Sequence, residues 1–298
     1  MPVVDGPLER GTPCWADLLV DDLPRARDFY GSLLGWSFDD ARTEGAPVVA
    51  RLGGRPVAAV LAKDPGDPGQ RTAWTVHLAT DDVDAAAARA TDAGGVLFLG
   101  PADVPGIGRL CVGADPAGAA YGLLQVPAPA DGAERTADAA DHADSDPADA
   151  PRLPEPGTLC WAESMSRDYA ASLDFYAAVL GYRWREIGSG GFRYSAATTT
   201  RDASEDGTDS AGDGPAVAGV GAIPTEAPAD VPSHWMAYFA VADCDAAVAR
   251  VVALGGSLVR EPFDSPYGRI ALVAGPQGET FSVLQAGGGG KADPAQYS

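Results

Sequence analysis

The chain has 298 residues, a length that suggests about two domains, and 46% of those residues are apolar, enough for sizeable cores. Its formal charge of −21 argues against nucleic-acid partners, because polyphosphate needs a basic surface, and equally against an anionic membrane surface. Much of that charge is local: residues 131–149 hold seven acids and one base, and residues 201–214 hold five acids and one base.

No apolar run reaches the roughly 18 residues that a membrane span needs. The first residues lack a basic stretch followed by an apolar one, so a cytoplasmic location is expected. The four cysteines, Cys14, Cys111, Cys160 and Cys244, show no CxxC or Cys/His spacing. They read as small buried hydrophobes in a reducing compartment, not as zinc ligands.

Taken in chain order, residues 14–20 alternate as a strand. Cys14, Ala16, Leu18 and Val20 face one way, and Trp15, Asp17 and Leu19 the other. A helix over 24–34 follows, opened by Asp22 as N-cap with Pro24 in its first turn, and carrying Phe29, Leu33 and Leu34 on one side. Short strands are expected at 35–39, 47–52, 56–62 and 73–80. An Ala-rich helix at 82–93 is closed by Gly94, and strands at 95–99, 107–114 and 119–126 complete the first half. Residues 127–156, rich in Ala, Asp and Pro, read as a linker. The same sequence of elements then recurs at 158–164, 170–180, 182–187, 191–197, 216–223, 234–241, 244–254, 257–260, 268–275 and 280–285.

The recurrence is a duplication. Cys14-Trp15-Ala16-Asp17 matches Cys160-Trp161-Ala162-Glu163, and Phe29-Tyr30 matches Phe175-Tyr176, both 146 positions on. Trp74 matches Trp235 at 161, and Gly108-Arg109 matches Gly268-Arg269 at 160. The acidic stretch 198–215 accounts for the change of offset and reads as an insertion in a loop between strands. Each half therefore contains two strand–helix–three-strand units. A sheet with helices on one face alone leaves its other face to cup a cleft.

The segments "DDLPRARDFYGSLLGW" and "SRDYAASLDFYAAVLGY" resemble the opening helix of the vicinal oxygen chelate superfamily, which includes glyoxalase I, extradiol dioxygenases and bleomycin-resistance proteins. "DPAG" at Asp115 and "GPQG" at Gly275 resemble that family's turn before the last strand. The resemblance covers about 14–126 and 158–285 and is closest to tandem glyoxalase-like proteins. It implies an α+β fold of four βαβββ units in two half-barrel modules: 10–127, a linker 128–156, and 157–286 with the insertion, before a flexible tail at 287–298. Function does not follow from the fold, which serves many chemistries and some pure binders.

Metal-using members of that family carry a His or an acid on the first strand of each unit and a Glu on the last. Matched by position, those places fall at Trp15 and Trp161, near Thr75 and Met236, and at Gly122 and Ser282. None of the six is a competent ligand for a divalent cation, so neither a metal nor another cofactor is expected.

The clefts then have other candidates. Trp15 and Trp161 offer flat apolar surface for an aromatic ligand, or simply fill the core. Asp17 and Glu163 stand two residues on, as cleft carboxylates or solvated strand residues. By strand parity Thr75 and His77 lie opposite in the first half, and Met236 and Tyr238 in the second, with His234 near the strand's start. His77 and Tyr238 are equally readable as packed, hydrogen-bonded side chains. Arg109 and Arg269 read as braces for the following turn through backbone carbonyls, or else as contacts for an anionic ligand. No G-x-S-x-G elbow, Cys/His pair or phosphate loop is present.

The leading expectation is a metal-independent protein that binds a small aromatic molecule on Trp15, Trp161, Thr75, Met236 and His234, in antibiotic biosynthesis or resistance. A second is a cofactor-free isomerase, cyclase or lyase with Asp17 or Glu163 as general base and His77 or Tyr238 as acid partner. A third is a metal-dependent glyoxalase or dioxygenase. Whether the protein is an enzyme stays open at this level. The expected partner is a small molecule alone, and the tandem, already an internal pseudo-dimer, is expected to be a monomer or a weak homodimer.

Overall fold

The computed structural model describes residues 8–40, 45–67, 69–125, 153–188, 192–199 and 215–287. Most of the expected linker, the expected insertion and the expected tail lie outside them. The first module runs β1 (Pro13–Val20), α1 (Leu23–Leu34), β2 (Ser37–Phe38), β3 (Val48–Leu52), β4 (Arg55–Ala62), β5 (Ala73–Ala79), α2 (Val83–Asp92), β6 (Val96–Val104), β7 (Gly108–Ala114) and β8 (Ala120–Gln125). The second runs β9 (Leu159–Ser166), α3 (Tyr169–Leu180), β10 (Arg183–Glu186), β11 (Tyr194–Thr198), β12 (Ala216–Ala222), β13 (His234–Ala240), α4 (Cys244–Ala253), β14 (Ser257–Ser265), β15 (Gly268–Ala274) and β16 (Thr280–Ala286).

Each module is one eight-stranded sheet of the same order, β2-β3-β4-β1-β5-β8-β7-β6 and β10-β11-β12-β9-β13-β16-β15-β14. The first strands of the two units, β1 and β5, pair antiparallel at the centre, and each pairs parallel with the last strand of its own unit. This is the expected arrangement of four βαβββ units in an α+β fold. The edge strands β6 and β14 run further than their sequences suggest, past Pro101 and Pro262. Paired bulges absorb the prolines, at 97/99 and 99/102 in one strand and at 258/260 and 260/263 in the other.

Helix α1 begins where Asp22 accepts a hydrogen bond from the Arg25 amide, and it ends at Gly35, whose φ of 73° is the left-handed conformation that glycine alone adopts without strain. Helix α3 repeats this with Asp168 and with Gly181 at φ 75°. Both helices pack on the convex faces of the sheets, and those faces meet. One continuous core runs through the seam, joining Leu18, Val60, Trp74 and Tyr121 to Phe175, Phe239, Phe281 and Val283. Trp36 and Trp74 of the first module lie against Phe239 of the second, with ring centroids 5.5 and 5.0 Å apart.

The seam also buries a matched pair of polar chains. The Trp74 indole N–H donates to the Tyr30 hydroxyl (3.3 Å), which donates to Glu279 across the seam (2.9 Å). The Trp235 indole donates to the Tyr176 hydroxyl (2.7 Å), which bonds Asp115 of the other module. Asp115 also takes the Ser172 hydroxyl (3.0 Å) and the Ala119 amide (2.8 Å). Residue 275, the sequence counterpart of Asp115, is glycine. A Cβ there would lie 2.1 Å from Glu279 Oε1, so the second module places a carboxylate in the same space from four residues further on. Burial raises the pKa of both carboxyls and pushes Tyr30 and Tyr176 well above the ordinary phenol range. Back-to-back packing leaves both concave faces open to the outside, and the candidate sites lie there.

Candidate functional site

In the first module, β1, β5 and β8 align Trp15, His77 and Gly122 in one row across the concave face. The position in line with Trp15 is thus His77, not Thr75, which pairs with Asp17 one step along. A bulge between Pro13 and Trp15 breaks the pairing just before this row and brings Cys14 into the inner cluster with Trp15, Ala59 and Leu124, where strict alternation puts it on the opposite face.

The row is tightly built. His77 is fully buried, and its ring lies where a side chain on Gly122 would stand: a Cβ there would be 2.1 Å from Nδ1. His77 Nε2 sits 2.8 Å from Asp17 Oδ2, close enough for an ion-pair contact but not aligned as a hydrogen bond, and Nδ1 faces no partner. The other Asp17 oxygen accepts the Trp15 indole N–H at 2.6 Å. His77, Asp17 and Trp15 therefore form a chain in which the carboxylate fixes the plane of the indole. Trp15, only 4% exposed, walls a cavity of about 690 Å³. Pro56, Val104, Ile107 and Leu124 line its apolar part, and Asp103, Arg109 and Gln125 supply polar groups.

The second module carries the homologous row Trp161, Tyr238 and Ser282 with different chemistry. Glu163 stands at the Asp17 position and Met236 pairs with it. The Tyr238 hydroxyl donates to Glu163 Oε1 at 2.5 Å, and the Tyr194 hydroxyl donates to Oε2 at 2.8 Å. Burial, then the neighbouring Glu163 charge, holds both phenols well above their ordinary pKa. Sequence reasoning missed Tyr194. The signal lay in β12, where Gly219 and Gly221 face the cleft two residues apart. A Cβ at 219 would lie 1.9 Å from the Tyr194 hydroxyl oxygen, so this strand is kept bare to let the ring cross it. His234 sits two positions beyond Met236 on the same face, its Nδ1 2.8 Å from the Pro232 carbonyl.

The arginines have a different role from the one expected. Arg109 and Arg269 do not brace backbone carbonyls. Each makes two hydrogen bonds to a carboxylate in the first turn of a helix, Asp84 or Asp245, at 2.8–3.0 Å. Each also reaches a second acid, Asp103 or Asp264. The cysteines are poor nucleophiles: burial pushes Cys14 and Cys160 up to about 12 and Cys111 and Cys244 up to about 11.

The donor set does not suit the divalent cation that the fold's best-known members use. Of the three aligned positions in each module, only His77 has a ligating atom of the usual kind, and it is packed against Gly122 and Asp17. Among the described residues no cluster of three or more His, Cys, Asp or Glu side chains could hold a metal.

The chain matches the Glyoxalase/Bleomycin resistance protein/Dioxygenase superfamily over residues 14–121 and 159–283, and it belongs to that family. It is 36% identical over 284 residues to a Mycobacterium tuberculosis protein named "Putative glyoxylase CFP32", covering 93% of this chain and 95% of that one. It is 35% identical over 289 residues to the anthracycline biosynthesis protein DnrV of Streptomyces peucetius, covering 92% and 93%. The Mn(II)-bound glyoxalase of Novosphingobium aromaticivorans superposes with a TM-score of 0.59 at 14% identity, over 93% of this chain and 83% of that one. The 2,3-dioxygenase LapB of Pseudomonas sp. KL28 gives 0.59 at 12%, over 95% and 96%. These two likenesses show the vicinal oxygen chelate fold. No helix among the described residues is long and apolar enough to cross a membrane.

Proposed function

We propose that the protein is a metal-independent binder of a planar aromatic small molecule, taken up in the cavity of the first module. The observation that carries this reading is the Trp15 wall: an indole locked by Asp17 at 2.6 Å, facing a cavity of about 690 Å³. That volume suits a ligand of several fused rings, and a rigid aromatic wall with few polar groups around it is what such a ligand needs. The kinship with proteins named for anthracycline biosynthesis supports a polycyclic aromatic ligand. Thr75 lies on the same face, while Trp161, Met236 and His234 would serve the second cleft. A panel of polycyclic aromatic metabolites, titrated while tryptophan fluorescence is followed, tests the reading. Saturable quenching that weakens at least tenfold in Trp15→Ala supports it, and a flat response across the panel removes it.

A second reading is a cofactor-free enzyme, favoured by the 2.8 Å approach of His77 Nε2 to Asp17. In it Asp17 accepts a proton from the ligand and His77 holds the carboxylate in place. Asp17→Asn separates the two readings. Turnover of a bound compound should fall at least a hundredfold if the carboxylate is the base, whereas binding alone should weaken only as far as Trp15 loosens.

A further inference from the structure

We infer that the concave face of the second module is a separate proton-transfer site for a ketone, with Glu163 as base and Tyr194 and Tyr238 as donors to the carbonyl oxygen. The inference does not rest on binding in the first module, and it gives the carboxylate-base reading a place and a reaction class.

Three strands deliver three side chains to one point: Glu163 from β9, Tyr194 from β11 and Tyr238 from β13. Both carboxylate oxygens are occupied by phenol O–H groups, at 2.8 and 2.5 Å. Among its described residues the first module has no such cluster: Ala59 stands where Gly219 stands and packs with the apolar inner cluster. Bare glycine in a strand interior costs stability. The gap above Gly219 and Gly221 admits the Tyr194 ring, whose hydroxyl also accepts the Trp161 indole N–H. Glu163, Tyr194 and Trp161 are half-buried, so the cluster opens on the concave face.

This arrangement suits a reaction in which one negative charge moves a few ångströms. At rest the charge lies on Glu163 and both phenols donate to it. When Glu163 takes a proton from the carbon next to a carbonyl, the C–H bond breaks and its electron pair forms the enolate C=C bond. The charge passes to the carbonyl oxygen. The carboxyl no longer needs two donors and the enolate oxygen does, so the phenols transfer their hydrogen bonds from one to the other. Their raised pKa keeps them protonated donors throughout. Return of the proton to the same carbon gives exchange, and return to a conjugated carbon gives isomerisation. No oxidant, reductant or second substrate is needed.

The test is deuterium exchange at C1 of 2-tetralone in D₂O, followed by proton NMR with the full-length protein. Wild type should exchange faster than buffer, and Glu163→Gln should fall to the buffer rate. Tyr194→Phe and Tyr238→Phe should each lower kcat by about 10- to 100-fold with KM changed by less than about threefold, the pattern for a donor that acts in the transition state. Glu163→Asp should recover part of the rate, because a shortened carboxylate remains a base. Thermal unfolding of each variant establishes that it is folded. Exchange at the buffer rate in wild type, or full exchange in folded Glu163→Gln, would overturn the inference.

Discussion

The two modules share their strand order, helix caps and seam contacts, yet their concave faces have diverged. In the first, the carboxylate of Asp17 lies against an indole and an imidazole, and the indole borders a mostly apolar cavity. In the second, the carboxylate of Glu163 is held by two phenols and the glycines beneath them. The convex faces changed much less. Trp74, Tyr30 and Glu279 answer to Trp235, Tyr176 and Asp115, and even where the backbone source of the carboxylate moved, its position did not. The difference teaches where each constraint lies. The seam is a shared core that must close on both sides, while the lining of each cleft packs only within its own module.

Four perturbations probe that contrast. The largest effect is expected at the seam. Phe239 is fully buried against Trp36, Trp74 and Phe281, so Phe239→Ala should cost about 3–5 kcal/mol. Because the core is continuous, both modules should still melt in one calorimetric transition. Two separate transitions in the wild type would break the picture of a single core.

Next come the glycines beneath the clefts. A Cβ at Gly122 meets the His77 ring and a Cβ at Gly219 meets the Tyr194 hydroxyl, so each alanine substitution should cost about 1–3 kcal/mol by overpacking. Gly122→Ala should also weaken ligand binding in the first module without altering proton exchange in the second. Gly219→Ala should do the reverse. If either variant impaired both clefts equally, the sites would not be independent.

The third concerns pH. Asp115 and Glu279 are raised above the ordinary carboxylate range by burial. The folded protein therefore binds more protons than the unfolded chain between the ordinary and the raised values. Stability from this pair is fully present below the ordinary pKa and is lost as pH rises through the raised one. Acidifying through the raised values should thus add stability. Asp21, Asp84 and Asp245 are lowered by Lys63, Arg109 and Arg269, so their contribution is lost only in stronger acid. Melting curves of wild type against an Asp115→Asn/Glu279→Gln double variant across that range check the sign. The variant should show a smaller gain.

The smallest effect belongs to the surface arginines. Arg109→Gln and Arg269→Gln remove exposed ion pairs with the same geometry and should each lower the melting temperature only slightly and to the same extent, less at high salt. Unequal costs would mark one of them as part of a cleft, with Arg109 the candidate because it borders the cavity.

Much of this was legible from the sequence. The duplicated CWAD/CWAE strand, the Asp22 cap and the offsets of 146, 161 and 160 lead to four βαβββ units. Strand parity groups Trp15, Asp17, Thr75 and His77 on one face, and the register of β1 and β5 pairs Trp15 with His77 and Asp17 with Thr75. What escaped was whatever depends on register or on space. A count along the chain lands on Thr75, two residues from His77, because spacing within one strand does not fix its register against β1. Tyr194 went unnoticed because its partner Glu163 is 31 residues away. Glycines at alternate positions of "AVAGVGA" carry no chemistry of their own. The seam carboxylates were hidden for a related reason: Asp115 and Glu279 reach the same place from different turn positions, so no alignment of the halves pairs them.

The central claim is that the first cleft binds an aromatic molecule on an indole wall without a metal ion. The most direct measurement is a titration with 1-aminoanthracene, read by its own fluorescence, on protein stripped with EDTA, with and without added Mn(II). The account predicts saturable binding that Mn(II) leaves unchanged and that Trp15→Leu weakens at least tenfold. Binding that appears only with the metal, or that is equally strong in Trp15→Leu, would contradict it.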